Sequence, residues 1–218
     1  MKRIFEDVAY TDAPIQSCFW NTASPIGQFE TLETDQQADV AIVGAGFTGI
    51  SAAYHLVQNG IATILLDAEA PLFGATGRNG GFCCLGGSKA SDAELDRLFG
   101  KDERMLFRQA EKEAVRLVRG LLDTNAINAD THSSGETMLA HRPKDAAEMP
   151  EIKSTILDNY GVRAIYHPKE ELIQLGLGGP FYGALTTPLG FALNPRKYAT
   201  GLLEVAITKG VQVHGHSP

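Results

Sequence analysis

Cysteine and tryptophan are scarce in this 218-residue sequence, with three of the first and one of the second. Cys83 and Cys84 are adjacent and Cys18 is far from both, so they offer no spaced framework of disulfides. A reducing, cytoplasmic setting is expected. Basic residues are in deficit as well: 19 Lys and Arg against 26 Asp and Glu leave a net charge of −7. That excludes an overall positive field for nucleic acid or an anionic lipid surface. Long uninterrupted apolar runs are missing. Val40 to Val57 has no Asp, Glu, Lys or Arg and nearly matches a bilayer span in length. Gly44, Gly46 and Gly49 break it, however, and Ser51 and His55 follow. A buried strand, a tight turn and a buried helix account for it, so no membrane span is expected. Met1-Lys2-Arg3 is basic, but Glu6, Asp7 and Asp12 interrupt the apolar core that an export signal needs. His132, His141 and His167 lack ligand spacing, which argues against a metal site. Neither a G-x-S-x-G elbow nor a P-loop lysine is present.

Glycine is what the sequence has in excess, at 23 residues, many of them in two clusters. The first, Gly44-Ala45-Gly46-Phe47-Thr48-Gly49, matches G-x-G-x-x-G. It follows the apolar run Asp39-Val40-Ala41-Ile42-Val43, opens a helix over Phe47 to Asn59 closed by Gly60, and precedes a second apolar strand that ends at Asp67. In that context Gly44 permits the tight turn, Gly46 lets a pyrophosphate approach the backbone, and Gly49 lets helix pack on strand. The helix N-terminus offers free N–H groups and a positive dipole end to phosphates. Asp67 can accept bonds from ribose hydroxyls and would repel a 2′-phosphate. The second cluster, Gly74-Ala75-Thr76-Gly77-Arg78-Asn79-Gly80-Gly81-Phe82, starts near that ribose and can run along a dinucleotide, with Thr76 and Arg78 suited to phosphate.

The rest of the chain supplies an organisation. Residues 1–37 read as an irregular arm, with Tyr10, Phe19 and Trp20 packing it onto the body. Ser91-Asp92-Ala93-Glu94 is a capping box opening a helical region. There Phe107, Ala110, Ala114, Leu117, Val118, Leu121 and Leu122 form one apolar face, while Glu103, Arg104, Arg108, Glu111, Lys112 and Arg116 read as a solvated one. Strands are expected over Thr137 to Ala140 and Val162 to Tyr166, a short helix between Pro150 and Gly161, and a turn at His167-Pro168. Asn194-Pro195 caps a further helix that Gly210 closes, and Val211 to Gly215 reads as a third strand of the first unit. A doubly wound sheet needs more than three strands, so a truncated sheet with an uncovered edge is expected. Catalytic residues are expected beyond Pro218.

The two glycine clusters, with Leu66-Asp67-Ala68 between them, resemble the D-amino-acid-oxidase-like FAD-dependent oxidoreductases. The likeness is greatest to the branch holding gamma-glutamylputrescine oxidoreductase and glycine or sarcosine oxidase. Cys18-Phe19-Trp20-Asn21-Thr22 and Asn194-Pro195-Arg196-Lys197-Tyr198 also resemble that branch. The resemblance implies an α/β fold: a doubly wound, Rossmann-like FAD-binding domain over 38–85 and 194–218, with a mixed α+β substrate domain inserted over 86–193. It implies bound FAD and oxidation of a C–N bond in a small amine or amino acid, a gamma-glutamylputrescine-like substrate being favoured. By position, Gly44, Gly46 and Gly49 hold the pyrophosphate, flanked by Phe47 and Thr48, and Asp67 with Ala68 meets the ribose. Thr76, Arg78, Asn79, Gly80 and Gly81 line the path to the isoalloxazine. Two other readings stay open: a non-catalytic fragment that binds FAD or ADP, and a flavoenzyme using NAD, which would need a second G-x-G-x-x-G.

Overall fold

The structure is a computed structural model that describes residues 18–24, 26–87 and 89–218; Tyr10 lies outside them. Phe19–Ala23 (α1) is a single short turn of helix in the arm. Val40–Val43 (β1) is apolar and largely β-branched, and Gly44 at φ +99 takes the chain out of it in a conformation that side chains resist. Phe47–Gln58 (α2) starts at once, and Gly60 at φ +74 ends it. Thr63–Leu66 (β2) then runs parallel to β1, with Val40 opposite Thr63 and Val43 opposite Leu66. A 3-10 turn at Ala75–Gly77 follows, and then the two-residue strand Phe82–Cys83 (β3).

Ser91 caps Asp92–Phe99 (α3) by accepting the Glu94 N–H, and Gly100 separates it from Lys101–Thr124 (α4). Glu136–Leu139 (β4), Pro143–Tyr160 (α5), Ile165–Pro168 (β5) and Gly183–Thr187 (β6) complete the middle of the chain. β6 lies between β4 and β5 and is antiparallel to both. Leu185 of β6 packs with Ala140, Ala164 and Met149 of α5 into a small separate core. Thr137 and His167 both bond the Thr186 hydroxyl, each at 2.9 Å, tying all three strands through side chains. Phe191–Ala192 (β7) pairs antiparallel with β3. Asn194 caps Pro195–Thr208 (α6) by accepting the Arg196 and Lys197 N–H groups. Gln212–His214 (β8) then pairs parallel with the free side of β2.

The parallel sheet therefore has the order β1-β2-β8. Its core joins Ile50 and Ala53 of α2, Leu65 of β2, Leu202 and Leu203 of α6, Leu121 and Leu122 of α4, and Phe191. The parallel sheet is left after β2 and resumed at β8, while Leu121 and Leu122 of α4 pack into its core in between.

Several expectations need correction. β1 is only half-buried: Val40 and Ile42 are partly covered, while Ala41 and Val43 are exposed, Val43 to 87 %, because alternate side chains point to a sheet face on which no described element packs. α5 begins at Pro143, ahead of the Pro150 expected to bracket it. Pro143 occupies the first turn, Arg142 and Asp145 close a capping box, and Pro150 is carried inside the helix. His167-Pro168 belongs to β5 instead of a turn, since Ala184 and Gly183 stand opposite them. β6 has no strong sequence signature and becomes a strand because two partners flank it.

Arg104 and Arg108 are not on a solvated face. They are each 8 % exposed and sit in an ion-pair network between α3, α4 and α5. Arg104 meets Asp96 at 2.7 Å and Asn159 at 2.5 Å, while Arg108 meets Asp92 at 2.6 Å and Glu111 at 2.7 Å. Tyr160 donates to Glu111 at 2.8 Å. The expected apolar stripe splits: Val115, Leu121 and Leu122 are buried, whereas Phe107 and Leu117 are partly exposed.

Candidate functional site

The site grows from the turn between β1 and α2. A side-chain carbon at Gly49 would lie 2.0 Å from the Gly44 carbonyl oxygen, so only glycine lets the helix start this close to the turn. At Gly46 the same carbon would be 3.0 Å from Thr76 Oγ1. That hydroxyl accepts the Phe47 N–H at 3.0 Å, so the second glycine cluster reaches the N-terminus of α2 through Thr76. Asp67 ends β2 beside the same turn. Its Oδ2 accepts the Ala45 N–H at 2.7 Å and its Oδ1 the Glu69 N–H at 3.0 Å. A carboxylate so held retains lone pairs for further donors. Ala68 follows it, exposed.

The remaining predicted residues divide into two kinds. Asn79 is a brace. Its Nδ2 donates to the Thr76 carbonyl at 2.8 Å and its Oδ1 accepts the Gly81 N–H at 2.9 Å. The Trp20 indole donates to its carbonyl at 2.8 Å, and the Cys18 thiol lies 3.9 Å from that of Gly77, which docks the arm as expected; Phe19 stays 72 % exposed. Gly81, at φ +76, lies against the Leu193 carbonyl, and Gly80 against the Phe82 ring. Arg78 donates from Nε to the Phe73 carbonyl at 2.6 Å and stacks over the Phe73 ring. So Gly44, Gly46, Phe47, Thr48, Asp67 and Thr76 gather at one helix end, while Arg78, Asn79, Gly80 and Gly81 shape the strip leading away from it.

That strip ends at a cavity of about 390 Å³. Phe47, Thr48, Asn79, Gly81, Phe82 and Cys83 form one side, and Leu117, Val118 and Leu121 of α4 with Tyr198 of α6 face them. The Phe47 and Tyr198 ring centroids are 5.6 Å apart. Burial pushes the Tyr198 hydroxyl up to about 12, with neighbouring Cys83 adding to it. Burial and then Cys84 raise the Cys83 thiol to about 11, against an opposing pull from Arg119. Both groups stay protonated at neutral pH.

Sequence reasoning missed the α4 wall, since Leu117, Val118 and Leu121 have the spacing of ordinary core. It also missed Arg196, which is 8 % exposed and donates to the Ser24 carbonyl at 2.6 Å and to Asn21 at 3.1 Å. Its signal is the polar cap Asn194-Pro195-Arg196 opening a helix that is otherwise buried.

These features fit a dinucleotide. A helix N-terminus lies behind a glycine turn, with a hydroxyl at its mouth and a carboxylate beside it. A protein-family model described as "DAO: FAD dependent oxidoreductase" matches residues 39–218. The chain is 26% identical over 205 residues to "Probable oxidoreductase OrdL" of Haemophilus influenzae, covering 94% of this chain and 47% of that protein. It is 27% identical over 194 residues to gamma-glutamylputrescine oxidoreductase of Escherichia coli, covering 88% and 45% respectively. The chain thus spans about half the length of the curated relatives it matches. Among solved structures it resembles glycine oxidase from Bacillus cereus, at a TM-score of 0.58 and 18% identity, over 83% of this chain and 46% of that one. It also resembles L-amino acid deaminase from Proteus vulgaris, at a TM-score of 0.66 and 19% identity, over 87% and 43%. At such identities these two likenesses speak to fold alone.

Proposed function

This chain belongs to the DAO family of FAD-dependent oxidoreductases, and on that premise we propose that it forms the dinucleotide-holding part of an enzyme oxidising the C–N bond of an amine or amino acid. The observation that carries this reading is the meeting of Thr76 Oγ1 with the Phe47 N–H in front of Gly46. It puts donors, a hydroxyl and a positive dipole end at one point, which is what a pyrophosphate needs.

Residues 38–85 and 194–218 form the FAD-binding domain in this proposal, 86–193 the substrate-domain portion, and 1–37 the arm. Gly44 and Gly46 clear a path for the phosphates, with the Thr48 N–H and the Thr76 hydroxyl proton turned to them. Asp67 and the adjoining Ala68 backbone meet the adenosine ribose. Arg78, Asn79, Gly80 and Gly81 guide the ring end toward the cavity walled by Phe82 and Tyr198. Bound FAD supplies a hydride acceptor for the carbon beside a neutral amine. The chain's own contribution there is an apolar wall that keeps water out and two protonated groups, Cys83 and Tyr198, that add no negative charge. A gamma-glutamylated polyamine is the favoured substrate, in line with the likeness to gamma-glutamylputrescine oxidoreductase.

The test is the visible absorption spectrum of the purified chain before and after heat denaturation. It is followed by anaerobic bleaching with gamma-glutamylated polyamines, sarcosine and glycine. Flavin absorbance released on denaturation, and bleached by one of these amines, is the expected result. A folded, colourless chain that ignores added FAD overturns the reading. The open edge of β1 favours a second reading, in which this portion binds FAD without turning over an amine. Bound flavin that no amine bleaches is its signature.

A further inference from the structure

The chain contains two Asn-Gly dipeptides, Asn59-Gly60 and Asn79-Gly80. Glycine puts no side chain in the way when its own nitrogen turns back on the preceding side-chain amide, so both sequences are open to intramolecular attack. The fold treats them differently. Asn59 closes α2, and the Gly60 N–H donates to the Val57 carbonyl at 3.0 Å, which ties down the attacking nitrogen. Among the described residues nothing donates to the Asn59 Oδ1.

The second dipeptide is arranged the other way. Gly80 is exposed, and among the described residues its N–H makes no hydrogen bond. The Asn79 Oδ1 accepts the Gly81 N–H at 2.9 Å. That bond closes a turn through the side chain and sets a donor on the oxygen where negative charge develops during attack. The amide nitrogens are held alike: Asn59 Nδ2 donates to the His55 carbonyl at 2.8 Å, and Asn79 Nδ2 to those of Thr76 at 2.8 Å and Ala75 at 3.2 Å. The difference lies at the attacking nitrogen and the amide oxygen.

We propose that Asn79 is a modification site, at which the folded chain loses its side-chain amide spontaneously and with it the brace of the second glycine cluster. The Gly80 nitrogen gives its proton to a solvent base and bonds to Asn79 Cγ. The Cγ–Nδ2 bond breaks, and ammonia departs to leave a succinimide ring. Water then opens the ring to aspartate or isoaspartate, and nothing is oxidised or reduced. Either product has lost the donor to the Thr76 and Ala75 carbonyls and sets a carboxylate against them. Isoaspartate also lengthens the main chain beside Gly81, which is packed against the Leu193 carbonyl. Weaker FAD binding then follows; this consequence rests on the proposed function, in which the strip carries the cofactor, whereas the modification itself does not.

The full chain is aged in mildly alkaline buffer, folded and in urea, and the peptides holding Asn59 and Asn79 are followed by mass spectrometry. Fragmentation separates aspartate from isoaspartate. In urea the two sites are expected to convert at similar rates. In the folded chain Asn79 converts roughly fivefold faster than Asn59, because freeing the Gly60 N–H costs about one hydrogen bond. Gly80→Ala slows conversion at position 79 and leaves Asn59 alone; if that variant fails to fold, the comparison within the wild-type chain decides. The modified fraction, separated by its added negative charge, and Asn79→Asp are then titrated with FAD beside fresh chain. Both are expected to bind it about tenfold more weakly.

An Asn79 that stays intact in the folded chain, or converts no faster than Asn59, overturns the proposal. A modified fraction that binds FAD as tightly as fresh chain overturns it as well, since the brace is then idle. Conversion at Asn79 in a chain that ignores FAD even when fresh supports the modification site and removes the proposed function.

Discussion

Gly81 and Thr76 stand a few residues apart and do opposite kinds of work. Gly81 sits at φ +76, and a side-chain carbon there would lie 2.1 Å from the Leu193 carbonyl oxygen, whose own N–H donates to Gly81. Gly81→Ala therefore forces β3 and the start of α6 apart. We expect it to lower stability by more than about 2 kcal/mol, read from thermal or urea denaturation. An unchanged midpoint would refute the packing role. Thr76 instead bears on the ligand. Thr76→Val keeps the shape but deletes the acceptor of the Phe47 N–H, so FAD affinity should fall about tenfold while Thr76→Ser stays near wild type. Fluorescence quenching of added FAD measures this, and a Thr76→Val chain with wild-type affinity would remove Thr76 from the site.

At the scale of elements, the Arg104–Arg108 network joins α3, α4 and α5 by charge. Arg108 is 8 % exposed and its partners Asp92 and Glu111 belong to different helices. Arg108→Met would leave two carboxylates without their cation and should destabilise the chain by about 3 kcal/mol. Denaturant titration decides it, and a loss below a few tenths would mean the pairs are dispensable. The pH dependence has a definite sign at both ends. Burial pushes the Asp92 carboxyl up, but bonds from Asn159 and Arg108 outweigh it and hold it below the ordinary carboxylate range. Its stabilising share is therefore present above that range and disappears as pH falls through the lowered value. Burial first, and then the bond to Glu111, push the Tyr160 hydroxyl up to about 12. Its share is complete below the ordinary tyrosine range and is lost as pH rises toward that value. Tyr160→Phe should flatten the alkaline limb of a stability–pH curve and leave the acid limb alone.

For the whole molecule, the decisive feature is the outer edge of β1. No described strand pairs it, and Val43 at its end is 87 % exposed. Parallel strands with a free edge recruit further strands. The chain on its own should therefore associate as its concentration rises, and Val43→Lys should suppress this without lowering the thermal midpoint. Sedimentation velocity over a concentration series shows either outcome, and a wild-type chain monomeric throughout would sink the idea. No described helix is long and apolar enough to cross a membrane.

Much of this was legible in the order of residues alone. The strand–glycine–helix run from Val40 to Gln58, the acid at Asp67 and the Ser91 and Asn194 caps all follow from rules acting over a few residues. Period, turn conformation and capping are local properties, and local sequence determines them. The choices that sequence left open depend on neighbours far along the chain. Gly183 to Thr187 is a strand because β4 and β5 lie on either side of it. Arg104 and Arg108 are buried because α3 and α5 bring Asp92, Asp96 and Asn159 to them. Leu117, Val118 and Leu121 have the spacing of core, and the structure also sets them along a cavity with Phe82, Cys83 and Tyr198. Local order settles a strand, a glycine turn, a helix and an acid at the end of the next strand. Folding settles which charges are buried and which residues share the cavity. Burial and long-range pairing are properties of the assembled chain, and no window of neighbouring residues contains them.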